Sequence, residues 1–201
     1  MLQIIIKTGC FIGLLSMLTA CMATKVEPAV KTAVKPPAQT VVAPENLVDY
    51  KNAIAASKEG DIDEAIELFE KTTRTRPGFV DAYINLGLQY MQKKELDKAD
   101  QAFSKAIKLD VTNHIAYNHR GIIMRMRGDF TAAKEMYQLA LKYDPNNVNV
   151  HLNVAILYDI YLYEPDLALY YYKQYQLLTG ESDKLVGKWI VDLERRVTAK
   201  Q

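Results

Sequence analysis

From residue 80 onward, large apolar, small and polar positions follow one another in an order that repeats. In the window 80–113, Tyr83, Leu86, Gly87 and Tyr90 fall three or four residues apart, and Ala99, Phe103 and Ala106 do the same further on. At about 3.6 residues per turn, each set lies on one face of a helix, so the window predicts two amphipathic helices joined by a short polar turn. The pattern returns 34 residues later as Tyr117, Gly121, Gly128, Ala133, Tyr137, Ala140 and Pro145, and it is visible one window earlier as Ala53, Gly60, Ala65, Phe69 and Pro77. Gly87, Gly121 and Ala99 are small where paired helices cross, and Phe103 or Tyr137 fills the space beside them. Small beside large lets a pair interlock. A single hairpin of this kind cannot bury its own apolar face, whereas stacked copies bury a continuous core.

This order of residues resembles the tetratricopeptide repeat (TPR) family, over about two-thirds of the chain. The resemblance implies an all-α solenoid of about four helix-turn-helix repeats, at about 46–79, 80–113, 114–147 and 148–181, with a capping helix at 182–199. The first repeat is the loosest match, with Asp49 and Ala56 where later copies have Tyr83 and Tyr90, as befits a terminal repeat. The second has Lys94 where a turn glycine is usual and Val111 where proline is usual. The fourth keeps Ala155 and Tyr158, gains one residue around 163–165, and resumes with Ala168 and Tyr172. Pro165 suits the first turn of its second helix. After Gly180, Ser182 is positioned to cap a last helix with Leu185, Val186, Trp189, Ile190, Leu193 and Val197 on its packed side.

Ahead of the repeats the pattern changes twice. Residues 1–20 hold a short apolar run with a single Lys7, of signal-peptide length and too short for a stable membrane span. Its end, Leu18-Thr19-Ala20-Cys21, resembles the lipobox of bacterial lipoproteins. That resemblance implies a mature chain starting at a lipidated Cys21; an ordinary signal cut elsewhere, or an uncleaved anchor, is the alternative. Met22, rather than Asp, follows the cysteine, which by the same resemblance favours the outer membrane of a Gram-negative bacterium, with the domain facing the periplasm. Residues 21–46, with Pro28, Pro36, Pro37 and Pro44 and no helical or strand period, predict a disordered tether.

Composition narrows the chemistry. With 25 basic and 24 acidic residues there is no excess of positive charge to hold nucleic acid. The two cysteines, Cys10 and Cys21, precede the repeats, so the folded part has no disulfide framework or cysteine-based metal site. His114, His119 and His151 lack ligand spacing, and no phosphate loop, nucleophile elbow or zinc-protease motif occurs. No catalytic residue, metal or cofactor is expected, and the chain reads as a non-enzyme.

In the TPR family the concave groove is lined by the first helix of each repeat. Matching positions give one row of Tyr50, Ile84, Asn118 and Leu152, a second of Ile54, Leu88, Ile122 and Ile156, and a third of Lys51, Asn85, His119 and Asn153. The residues assigned to partner binding from these rows are Tyr50, Ile84, Asn85, Leu88, Asn118, His119, Ile122, Leu152, Asn153 and Ile156. Two readings stand for the second row, groove lining or helix packing. Tyrosines crowd the fourth repeat, and three in succession, Tyr170, Tyr171 and Tyr172, cannot all face a core. They either cover the cap helix and Trp189 or leave Tyr170 and Tyr171 as a second partner surface. The resemblance to bacterial TPR lipoproteins implies a membrane-anchored adaptor for another envelope protein, serving pilus assembly, peptidoglycan enzymes or a TonB-type system. A cell-wall-directed enzyme or carbohydrate-binding protein is the alternative.

Overall fold

A computed structural model describes residues 47–199; the expected signal peptide, Cys21 and the tether lie outside the described residues. These residues form α1 (Val48–Glu59), α2 (Ile62–Thr75), α3 (Val80–Gln92), α4 (Leu96–Leu109), α5 (His114–Met126), α6 (Phe130–Tyr143), α7 (Val148–Ile156), α8 (Pro165–Leu178) and α9 (Lys184–Thr198). Consecutive helices pack pairwise, and the second helix of each pair packs on the first helix of the next. The architecture among the described residues is all-α.

Helix starts follow local chemistry. Asp61, Asn113, Asp129 and Asn147 each accept a hydrogen bond from the backbone N–H three residues on, at 3.0–3.2 Å. The cap satisfies a donor that no helical carbonyl reaches. The last helix is capped by the Asp183 carboxylate, which accepts from the N–H groups of Leu185 and Val186, and not by Ser182 as the sequence suggests. Ser182 instead donates to the carbonyl of Thr179. Those two backbone N–H groups hold the Asp183 carboxyl below its ordinary range, together with a hydrogen bond from Tyr175.

The core is a column of one ring per repeat. Phe69, Phe103, Tyr137 and Tyr172 are all buried, each beside a buried alanine, Ala65, Ala99, Ala133 and Ala168. On the facing helices, a β-carbon added at Gly87 would sit 2.7 Å from Phe103, and one at Gly121 would sit 2.5 Å from Tyr137. In the outer repeats the same position holds Ala53 and Ala155, so those hairpins accommodate a methyl group at this crossing.

The turn within each hairpin needs one left-handed residue. Gly60, Lys94, Gly128 and Tyr163 fill that place, with φ of 86°, 62°, 82° and 55°. Lys94 therefore keeps the turn conformation without the glycine, at some strain. The extra residue of the fourth repeat is absorbed before this turn: α7 runs on into a π-helical turn, Leu157–Tyr161, where the Leu162 N–H donates to the Leu157 carbonyl at 3.0 Å. A widened turn adds one residue without breaking the helix, and Tyr172 returns to the core column.

At the C-terminal end the packed side of α9 is narrower than its sequence suggests. Val186 and Leu193 are buried, but Leu185 is exposed and Trp189 tilts against Tyr172 while remaining 36% exposed. Among the described residues no further helix stacks on α9, so only the residues that reach α8 lose contact with water. Arg196 ties α9 to Asp159 of the π turn at 2.6 Å.

Replacing Gly87 or Gly121 by alanine forces a methyl group against a buried ring, and each is expected to destabilise the fold by about 1–3 kcal/mol in urea unfolding. The double variant Gly87→Ala with Phe103→Leu should recover part of the loss relative to Phe103→Leu alone.

Candidate functional site

The first helices α1, α3, α5 and α7 carry the predicted rows, and the structure sorts them by exposure. Ile84 is buried in the core and Asn118 is only 8% exposed, so neither presents an open side chain. The row beginning at Tyr50 is thus mostly absorbed by packing. Tyr50 itself sits edge-on to Phe69 and Phe79, at 5.8 and 4.8 Å between ring centroids. Ile54, Leu88, Ile122, Leu152 and Ile156 are partly buried against the core and keep some surface. Lys51 is exposed.

The third row contributes to a set of polar pairs between neighbouring first helices. The Asn85 amide donates to the Tyr50 hydroxyl at 3.0 Å and to the Asp81 carbonyl at 2.8 Å. The Asn153 amide donates to Asn118 Oδ1, also at 3.0 Å. Both amide nitrogens are oriented by the protein, which leaves the side-chain oxygens of Asn85 and Asn153 without protein donors among the described residues. A fixed amide oxygen is an acceptor ready for a backbone N–H.

His119 departs from this arrangement. Its ring stacks on Phe103, with centroids 5.2 Å apart and planes 11° from parallel, and its Nδ1 is buried without a hydrogen-bond partner. Burial lowers its pKa from the ordinary value, so the ring is neutral at pH 7. It separates the Asn85 and Asn153 groups rather than extending a continuous ladder.

Two polar residues of this region escape a search for rows repeated every 34 positions. Gln89, almost fully buried, donates to Ser57 Oγ at 2.9 Å, and its Oε1 has no partner. The matching positions in later repeats hold Ile123 and Leu157, both fully buried, so a lone glutamine in an apolar row was the available signal. Arg125 lies over the Tyr161 ring, 5.8 Å from its centroid, with Nε buried and unpaired. Burial pushes the nearby Tyr137 phenol up to about 12, against the opposing influence of that guanidinium. Arg120, at the place Leu86 holds one repeat earlier, is bound to Asp100 at 2.7 Å and acts as an inter-repeat tie.

Of the second predicted surface, Tyr170 is exposed whereas Tyr171 packs between Tyr158 and Tyr170. Tyr175 is taken up by a hydrogen bond to Asp183 at 3.0 Å.

A stack of helix hairpins with one small-residue crossing per unit and polar pairs along its first helices defines a TPR solenoid, and the comparisons agree. Residues 80–113 and 114–147 each match the tetratricopeptide repeat family. Among sequence relatives, the tetratricopeptide repeat domain-containing protein PYG7 of Arabidopsis thaliana is 36% identical over 78 residues, covering 38% of this chain and 26% of that protein. The probable glycosyltransferase SPINDLY of Petunia hybrida is 32% identical over 101 residues, covering 50% of this chain but 11% of its own length. The chain thus spans a small part of these relatives. Among solved structures, a MamA protein superposes with a TM-score of 0.60 at 23% identity, covering 66% of this chain and 72% of that one. PilF of Pseudomonas aeruginosa gives 0.66 at 18% identity, covering 75% and 68%. These likenesses establish the fold, and the repeat class implies a protein–protein interaction scaffold.

Because His119 is neutral when folded, the unfolded chain takes up its proton first as the pH falls. The stability tied to the neutral ring is complete above about 6.5 and is lost as the pH drops from there toward the lowered folded value. The variant His119→Asn should show a smaller loss of stability between neutral and acid pH than the wild type, measured by urea unfolding at a series of pH values.

Proposed function

We propose that this chain is an adaptor of the bacterial cell envelope, anchored through a lipid on Cys21, that holds an extended segment of a partner protein along its first helices. The observation that carries the reading is the pairing of Asn85 with Tyr50 and of Asn153 with Asn118, which fixes amide oxygens along one side of the solenoid. Partly exposed Leu88, Ile122 and Ile156 stand three or four residues, about one helical turn, beyond Asn85, Asn118 and Asn153. Oriented acceptors suit the main chain of a bound segment, and apolar neighbours supply desolvated contacts for its side chains. The near balance of charge fits recognition that does not rest on salt-dominated attraction. Attachment to the outer membrane, with the domain in the periplasm, rests on the Leu18-Thr19-Ala20-Cys21 sequence and Met22. Pilus assembly, peptidoglycan enzymes and TonB-type systems are all settings in which such an adaptor would serve.

Photo-crosslinking in intact cells tests the groove. A photoreactive residue at Leu88 or Ile122 should trap a discrete envelope protein, and one at Gln101 or Glu135, exposed on second helices, should not. Trapping from the second helices alone would move the binding site away from the first helices.

The anchor is tested by Cys21→Ser, which should abolish labelling by radioactive palmitate and leave the protein either unprocessed or released from membranes. Equal labelling of wild type and variant would overturn the lipid attachment.

A further inference from the structure

The repeats serve as controls for one another on the exposed side of their second helices. At the four places where α8 has Leu167, Tyr170, Gln174 and Leu177, α2 has Glu64, Glu67, Lys71 and Arg74. The same places in α4 hold Lys98, Gln101, Lys105 and Lys108, and those in α6 hold Ala132, Glu135, Leu139 and Lys142, of which Glu135 and Lys142 are exposed and Leu139 packs against the core. The fourth repeat has lost these charges. On α8 these four positions, three of them apolar and Gln174 an amide, are spaced three, four and three residues apart, and Tyr163 stands in the left-handed turn before them. Tyr163 is 78% exposed, Tyr170 55% and Leu177 70%. That spacing is the seam of a helix that pairs with another helix. The solenoid does not use it, because Ala168 and Tyr172 face the core from elsewhere on α8 and α9 packs beside them.

We propose that this stripe is a homodimer surface on which α8 of a second copy of the chain lies antiparallel, across a two-fold axis next to Tyr170. The sequence of the stripe is self-complementary about that residue. Tyr163 lies in the turn before α8 and Leu177 in the last turn of α8, so the axis brings the turn bearing Tyr163 of each copy to the end of the other α8 that carries Leu177. Leu167 comes level with Gln174 to within one residue. Asp166 and Lys173, seven apart and both exposed, flank the stripe on one side. The two-fold places each aspartate within a residue's rise of the other copy's lysine. In a parallel pair those two charges would meet Tyr171 and Leu178 instead, so charge selects the antiparallel arrangement.

Lys173 also reaches Glu194 of α9 at 2.7 Å, but both side chains are about half exposed, and a surface pair of this kind leaves the lysine open to a second carboxylate. Beside Leu177 an open groove runs between α8 and α9, lined by Lys173, Gln174, Gly187 and Ile190 among others. A formal net charge of +1 sets up little repulsion between copies.

The test uses the full chain. Under mild oxidation Tyr170→Cys should form a disulfide between copies, identified as a 170–170 link by peptide mass mapping, in several-fold higher yield than Glu135→Cys, the same position one repeat earlier. Adding Asp166→Lys should lower that yield several-fold, and Asp166→Lys with Lys173→Asp should restore it. Circular dichroism of each variant checks that the helices are intact. Linkage at 170 no better than at 135, or only to Cys10 or Cys21, would show that the stripe does not pair with itself and would leave it to a different partner. A yield indifferent to Asp166→Lys would overturn the antiparallel register.

Discussion

Everything in this fold depends on how closely two helices approach within a hairpin. At each crossing the first helix offers a residue with a methyl group or no side chain at all, and the second sends a whole aromatic ring into the space. Phe103 over Gly87 and Tyr137 over Gly121 leave no room for another carbon. The ring column that results, from Phe69 to Tyr172, is shared between neighbouring repeats, because an α2–α3 or α4–α5 contact closes what the hairpin alone leaves open. Stability is therefore distributed along the stack rather than held by any one unit.

Polar groups occupy what the ring column leaves over. Tyr50 with Asn85, Ser57 with Gln89, and Asn118 with Asn153 join first helices to first helices, while Arg120 with Asp100 and Lys93 with Asp63 join the helices that flank them. Buried amides need such partners, since an unpaired donor away from water is costly. The same bonds that hold the stack also turn amide oxygens in a fixed direction, which links the stability of the array to the preorganisation of its inner side.

The fourth repeat is where the array stops being regular. Its extra residue enters the π turn, where Leu157 and Tyr158 stay buried and Asp159 takes up Arg196 of the last helix. Widening the helix at this point keeps Ala168 and Tyr172 in the column while α8 presents aromatic and aliphatic side chains where other repeats present charge. The end of the array thus differs from its middle in surface chemistry but not in core construction.

What the sequence determined alone is the part of the protein governed by spacing. The 34-residue recurrence of small and aromatic positions specifies the hairpins, their pairing and the all-α class, because a helix of fixed pitch turns spacing into a face. The same logic marks Pro165 as a helix start and Gly60 and Gly128 as turns, and it proposes first-helix rows as a binding side. Which members of those rows remain open was decided by the tertiary structure: Ile84 and Asn118 share a row with Tyr50, yet neighbouring helices bury them. His119 occupies an asparagine position, yet the adjacent Phe103 ring captures it. The π turn, the capping by Asp183 instead of Ser182 and the exposure of Trp189 were settled in the same way. Periodicity along a chain says which side of a helix a residue occupies, but the depth of that residue depends on how near the next helix comes, and that distance is set by side chains from elsewhere in the sequence.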